Sequence, residues 1–216
     1  VVTIYTLPLL FQFVYDDSTL RSGLYVLAVI AAGIMAAGGG GALFPSFTLY
    51  MVWFLAANAL IIVGAALLTT VSATSSRGVI CGFATINLVG GGLIVQLPFT
   101  VGQVKADPKD VRSVNTLLTT AQMFGLAVSL GTATTLFVNI AVPEISLLMP
   151  GSTKNAVYSS IEGAGSAYFS TLPESVRDEV LEVVAKSVAK VFCLLVAGVV
   201  VGLVTALGLE RRKLVL

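Results

Sequence analysis

Long stretches without a charged residue dominate this chain. The longest separates Arg21 from Arg77, and its roughly 55 uncharged positions exceed twice the 20 or so residues that one membrane-crossing helix requires. Four glycines, Gly38–Gly41, and then Pro45 interrupt the run near its middle, where such residues favour a break between helices. The pattern therefore predicts two membrane helices, over residues 22–43 and 47–71.

Three further charge-free runs are each long enough for one membrane helix. They predict helices over residues 78–104, 113–142 and 190–209. The opening run, residues 1–14, is apolar but too short to span, and it ends at Tyr15-Asp16-Asp17. Because the chain also starts with Val1 rather than Met, we interpret this run as a truncated span and expect the chain to be a fragment.

These runs lack the strict alternation of polar and apolar positions that membrane β-barrel strands show. In lipid the remaining way to satisfy every backbone hydrogen-bonding group is the α-helix. The predicted fold class is therefore all-α: a polytopic membrane protein, a six-transmembrane-helix bundle, forming a single membrane domain over residues 1–216.

The stretch between the last two predicted spans, residues 143–189, is expected to be a long outer loop. Apolar residues recur in it at helical spacing, at Val176, Val180, Leu181, Val184 and Val188. This spacing is typical of an amphipathic helix. We expect that helix to lie at the outer membrane surface before the last span.

The basic residues indicate an orientation. With six spans both chain ends lie on one side, which groups Lys105, Lys109 and Arg112 with the tail residues Arg211–Lys213. Cytoplasmic segments of membrane proteins are enriched in Lys and Arg, so this side is expected to be the cytoplasm. The other side carries as many basic residues, although most of them belong to the long loop.

Composition narrows the function classes. The chain is 56% hydrophobic and 11% charged, with a mean hydropathy of +0.98, whereas soluble domains carry about 25% charged residues. A net charge of +1 with scattered basic residues gives no nucleic-acid footprint. The chain has no histidine, no glycine-framed nucleophile and no phosphate-binding loop. We therefore expect neither an enzyme nor a cofactor or metal site.

Amides and hydroxyls are the polar groups left inside the spans, which contain no ionisable residue in their interiors. Such amides either hydrogen-bond between helices or line a cavity. As candidate substrate-binding residues we select Gln12, Asn87, Gln96 and Gln122; bonding between helices remains the alternative for each.

Glycines form a second group of candidates. Gly90, Gly91 and Gly92 precede Pro98 in one span, and Gly198 and Gly202 share the last one. Small residues let helices approach closely, while glycine with proline also permits bending. These positions are predicted to serve helix packing or to form a hinge.

Five features follow one another along the chain. A Leu-Pro-x-x-Phe-Gln sequence ends one span at Leu7–Gln12, and Ser22-Gly23 opens the next. The glycine-run helix Gly90–Pro98 is followed by the short charged loop Lys105–Arg112. Gln122 with Gly125, an outer segment beginning at Pro173, and a basic tail come next. This order of segments resembles the major facilitator superfamily, specifically its fourteen-span drug:proton antiporter branch, abundant in fungi.

This resemblance covers nearly the whole chain and implies the carboxy-terminal half of an exporter. It implies proton-coupled efflux of drugs, toxins or secondary metabolites across the plasma membrane, with a second, amino-terminal helix bundle completing the substrate cavity. The proton-titrating group would lie in that bundle. One departure is the segment Ala42–Thr48, which lacks the basic residues usual there. The alternatives are a non-transporting degenerate transporter or scaffold, and an uptake carrier for a nutrient or siderophore.

Overall fold

Six α-helices build the part of the protein that its computed structural model describes, residues 1–43, 49–149, 157 and 174–209. They are α1 (Val2–Val14), α2 (Thr19–Leu43), α3 (Tyr50–Thr69), α4 (Arg77–Lys105), α5 (Val111–Leu148) and α6 (Glu174–Leu207). No strand occurs in these ranges. Five of the helices, α2 to α6, are long and apolar enough to cross a membrane, and α1 is a shorter apolar helix. The predicted class, an all-α polytopic membrane bundle, is confirmed.

The four glycines that predict a break after α2 do not interrupt the helix. Gly38–Gly41 remain helical, and α2 ends at Leu43, where the predicted span also ends. The helix α3 begins at Tyr50, whereas the predicted span begins at residue 47, which lies with Pro45 outside the described residues.

The stretch predicted as an outer loop, residues 143–189, is helical at both of its ends. The helix α5 runs through Pro143 to Leu148, and α6 already begins at Glu174. The segment expected to form a separate surface helix is therefore the first half of α6. Its buried residues Val180, Val184 and Val188 continue in phase to Phe192, so one apolar stripe extends from this segment into the last span and no break is required. The predicted start at Pro173 lies outside the described residues.

At 38 and 34 residues, α5 and α6 are about 57 and 51 Å long at 1.5 Å per residue. The hydrocarbon core of a bilayer is only about 30 Å thick. Both helices therefore extend beyond it. Beyond the span they stay paired, because Lys190 of α6 lies 3.7 Å from Glu144 of α5.

The helix α4 lies between α2 and α3 and packs closely on both, while α6 packs on α3, α5 and α1. Glycines allow the close approach. A Cβ atom built at Gly92 would lie 2.1 Å from the carbonyl oxygen of Gly33 in α2, and one at Gly90 would lie 2.7 Å from that of Ala57 in α3. A Cβ at Gly64 in α3 would meet the backbone nitrogen of Asn87 at 2.4 Å. Helix association within lipid depends on this kind of backbone contact.

Packing is uneven along the bundle. The main apolar core lies at the end where α1, α3 and α5 finish and α2, α4 and α6 begin, which we call the packed end; its largest members include Phe11, Leu68, Ile80, Ile145 and Phe192. At the opposite end, which we call the open end, a small cluster forms around Tyr50 and Leu97. No residue is buried in the second half of α2, residues 30–43, or in the first half of α5, residues 111–132.

We expect Gly92→Ala to destabilise the bundle strongly, because its Cβ would collide with backbone rather than with a flexible side chain. Overpacking costs about 1–3 kcal/mol, and a backbone collision belongs at the upper end. Gly91→Ala is the matched control, since a Cβ there meets no atom within 4 Å. Thermal unfolding of the purified complete protein in detergent measures both. Equal midpoints for the two variants would contradict the packing described.

Candidate functional site

A cavity of about 520 Å³ lies between α1, α2, α4 and α5. Volumes of roughly 300–1,000 Å³ are usual for sites that take small organic molecules. Its walls include Ile4 of α1, Ile30 and Ile34 of α2, Leu88 of α4 and Leu126 of α5. Both α2 and α5 contact α4 beside the cavity, because a Cβ at Gly40 would meet Leu93 and one at Gly102 would meet Leu118. The cavity is the space left between α2 and α5.

The chemistry of this cavity is almost entirely apolar. Among its described lining residues, Gln122 of α5 carries the one polar side chain, and none carries a charged one. Gln122 is half-buried and makes no hydrogen bond to another described residue. Its amide can therefore donate to and accept from a bound molecule.

Three consecutive glycines of α4 have different surroundings. Gly90 and Gly92 are in backbone contact with α3 and α2, whereas a Cβ at Gly91 would enter open space. Gly91 lines the cavity. Two of the three glycines thus hold α4 against its neighbours, while the third leaves the cavity wall without a side chain.

The other predicted packing or hinge positions lie outside this wall. Pro98 lies within α4, where it cannot donate to the carbonyl four residues earlier; that carbonyl belongs to Ile94, which lines the cavity. In α6, a Cβ at Gly202 would meet Asn58 Oδ1 at 3.1 Å, and one at Gly198 would meet no atom within 4 Å.

Of the four predicted substrate-binding residues, the structure places only Gln122 among the described residues that line the cavity. Gln12 is half-buried on α1 and Gln96 is exposed on α4. Asn87 is buried and joins three helices: its Oδ1 accepts from the Thr3 hydroxyl at 2.8 Å, and its Nδ2 donates to the carbonyl of Ile61 at 2.9 Å. The geometry of Asn87 is that of a bond between helices.

The structure also has an ion-paired cluster at the packed end, which the sequence pattern did not predict. The carboxylate of Asp17 is 1% exposed and accepts two hydrogen bonds from Arg77, from Nε at 2.7 Å and Nη2 at 3.2 Å. The guanidinium also donates to the carbonyl of Tyr15 and lies 4.8 Å from the centre of its ring. Asp17 follows α1 and Arg77 begins α4, so the pair fastens these two helices together.

The backbone turn after α1 presents Asp17 to this partner. Asp16 adopts a left-handed conformation with φ of 52°, which a short acidic residue tolerates better than most. The amide of Asp17 then donates to the carbonyl of Phe11. Asp16 itself points elsewhere and lies 3.6 Å from Arg177 of α6.

Tyr15 completes the cluster by donating its hydroxyl to the carbonyl of Ser75. Burial raises the pKa of this hydroxyl above its ordinary value, and the nearby Arg77 acts in the opposite direction. The hydroxyl therefore stays protonated at physiological pH and keeps its hydrogen bond. A pair of acidic residues after an apolar run and a lone arginine before another were the available sequence signals, but nothing in their spacing paired them.

Proteins similar to this chain include transporters from three fungi. An MFS-type transporter of Aspergillus terreus, pgmG, is 34% identical over 99% of this chain. An efflux pump of Emericella nidulans, alnA, is 29% identical over 99% of it. The phomenoic acid biosynthesis cluster MFS-type transporter of Leptosphaeria maculans is 29% identical over 100% of it. Over nearly its whole length, this chain is therefore similar to fungal MFS-type transporters and efflux pumps.

The resemblance to the major facilitator superfamily is thereby confirmed. The chain spans about two fifths of the length of these transporters, between 37% and 39%. No protein-family model matches the chain, and no solved structure matches it. Among the described residues, no group of three potential ligands could hold a metal ion.

We expect Asp17→Asn to lower the free energy of unfolding of the complete transporter by about 3 kcal/mol. Removing one partner of a buried ion pair costs about 3–5 kcal/mol, and the lower value applies because the Arg77 side chain remains 39% exposed. Chemical unfolding in mixed micelles measures the change.

Asp16→Asn provides the matched control for that measurement. Asp16 is 60% exposed and its ion pair is longer, so its loss should cost less than about 1 kcal/mol. Equal losses for the two variants would show that the burial of Asp17 is unimportant.

Proposed function

We propose that the complete protein exports small, largely apolar organic compounds by alternating access, and that the cavity between α1, α2, α4 and α5 forms part of the substrate path. The single observation that carries this proposal is the cavity itself. Its volume of about 520 Å³ suits a small organic molecule, and its walls are apolar with one free amide. An apolar wall favours such a molecule over an inorganic ion or a sugar, because neither of these would recover its hydration there.

The names of the relatives support outward transport. One is an efflux pump, and another is the MFS-type transporter of a biosynthesis cluster. Drugs, toxins and secondary metabolites are therefore the proposed substrate class.

The exposed faces of α2 and α5 support the proposal that further helices complete the cavity. Residues 30–43 and 111–132 include no buried residue, although polar groups such as Asn115, Thr119 and Gln122 lie on α5. A lipid-facing surface with such groups would be unfavourable. An amino-terminal helix bundle of the complete transporter would cover these faces.

Proton coupling is assigned to that second bundle. The cavity has no charged lining residue, and Asp17, the buried carboxylate at the packed end, is bonded to Arg77. The orientation follows from Lys105, Lys109 and Arg112, which all lie at the open end and favour the cytoplasm there. A cytoplasmic carboxy terminus is proposed on this basis, and a plasma-membrane location is proposed from the similarity to efflux pumps. The basic tail lies outside the described residues.

A substitution that fills the cavity tests directly whether it belongs to the substrate path. In the complete transporter, Gly91→Leu should lower the rate of export of a fluorescent apolar drug by about tenfold, because the new side chain would occupy the substrate volume. A tenfold change corresponds to about 1.4 kcal/mol. Gly82→Leu is the matched control: it lies on the same helix, its Cβ would also meet no atom within 4 Å, and it does not line the cavity. Efflux from loaded cells against a transporter-null strain measures both.

Two outcomes would contradict the proposal. The first is unchanged export by Gly91→Leu at equal surface expression, and the second is absence of export in the wild type. Accumulation above the null strain would instead indicate uptake, and unchanged fluxes of every compound would favour a scaffold.

Amide substitutions test which glutamine contacts the substrate. Losing one hydrogen bond costs about 0.5–1.5 kcal/mol, so Gln122→Ala should raise KM roughly two- to tenfold. Gln96→Ala should have the smaller effect, because Gln96 is exposed and lies outside the cavity. A larger effect at Gln96 than at Gln122 would contradict the proposal that Gln122 contacts the substrate.

A further inference from the structure

A polar groove lies on α5 at the open end, next to the apolar cavity. It has a volume of about 340 Å³ and is lined by Arg112, Asn115, Thr116, Thr119 and Thr120. All five residues belong to the first three turns of one helix. No acidic residue lines the groove among the described residues.

The guanidinium of Arg112 is the unpaired cation of this region. Arg112 is exposed and forms no ion pair with another described residue. The neighbouring cations are engaged: Lys105 donates to the Tyr50 hydroxyl at 3.0 Å, and Lys109 lies 3.6 Å from Asp107. Arg112 can therefore offer its fork of N–H donors to an external anion.

Two threonines of the groove also have free hydroxyls. Hydroxyl side chains in apolar helices commonly bond to the carbonyl three or four residues earlier, as Thr116 and Thr132 do in α5. Thr119 and Thr120 make no hydrogen bond to another described residue. Together with the Asn115 amide, which accepts from Gln103 through its Oδ1 at 3.3 Å, they add donors beside Arg112.

The groove and the cavity follow one another along one face of α5. Thr119 lines the groove, and Gln122 and Leu126 line the cavity. These residues follow at spacings of three and four, which places them on one face of the helix. From Arg112 to Leu126 the helix rises about 21 Å. The open end thus presents a cationic, hydroxyl-rich site at one end of an apolar path.

From this arrangement we propose that the transporter recognises amphipathic organic acids, with the carboxylate bound at Arg112 and the apolar body in the cavity. The inference rests on the proposed export function and specifies its substrate class. Arginine binds carboxylates through two parallel hydrogen bonds, and the free hydroxyls and amide complete the coordination. A phosphate group of a membrane lipid would satisfy the same donors, so the test separates the two sources.

The test compares acids with their uncharged amides in proteoliposomes of the complete transporter. The probes are naphthoate and dodecanoate, each paired with its primary amide, because the members of a pair have nearly the same shape and differ in charge. We expect the wild type to transport each acid with at least tenfold higher kcat/KM than its amide. Arg112→Gln should lower the value for the acids about tenfold and leave the amides within twofold, while Arg112→Lys should keep a partial preference.

Lys109→Gln is the matched control. It removes one positive charge three residues before Arg112, and Lys109 does not line the groove. It should leave the preference for acids unchanged. Equal losses for acid and amide in Arg112→Gln would identify a lipid-phosphate or structural contact and overturn the inference. An absence of acid preference in the wild type would also overturn it, and export of an apolar drug by the same vesicles would show that the proposed function survives.

Discussion

Contact between helix backbones at glycine positions determines the shape of this bundle. Within lipid there is little hydrophobic gain from pairing two apolar helices, so their association depends on close packing and a few hydrogen bonds. At Gly92 and Gly90, α4 touches α2 on one side and α3 on the other. The side chain of Asn87 then connects α4 to α1 and α3 through Thr3 and Ile61. The cavity wall at Gly91 exists because its two neighbours are held in place.

The two ends of the bundle differ in what stabilises them. At the packed end, a continuous apolar core is closed by the Asp17–Arg77 pair and by the ion pair from Asp16 to Arg177. Towards the open end, the cavity lies between α2 and α5, which both still contact α4, and the groove follows on α5. Core packing and the cavity nevertheless meet, because Ile4, Ile30 and Leu88 of the cavity wall also pack against the apolar core.

The helices could be predicted from the sequence because charge-free length is a direct consequence of bilayer thickness, and it located five long helices without reference to packing. Helix ends were harder: the glycines Gly38–Gly41 remain helical, and α6 begins at Glu174 because its apolar stripe continues across the predicted boundary. Only part of the candidate site could be predicted from the sequence. Periodicity cannot distinguish an amide that faces a neighbouring helix from one that faces a cavity, so Asn87 and Gln122 were equally good candidates for substrate binding. The Asp17–Arg77 pair joins residues 60 positions apart, a separation that no local pattern encodes.

The uninterrupted helix α6 has a mechanical consequence. From Glu174 to Leu207 it is one helix, about 51 Å long, so it includes no joint at which its two halves could turn independently. Arg177 ties its first turn to Asp16 and Lys190 ties its middle to Glu144. If the membrane-crossing half tilts about the contact between Lys190 and Glu144, the extramembrane half therefore moves in the opposite direction.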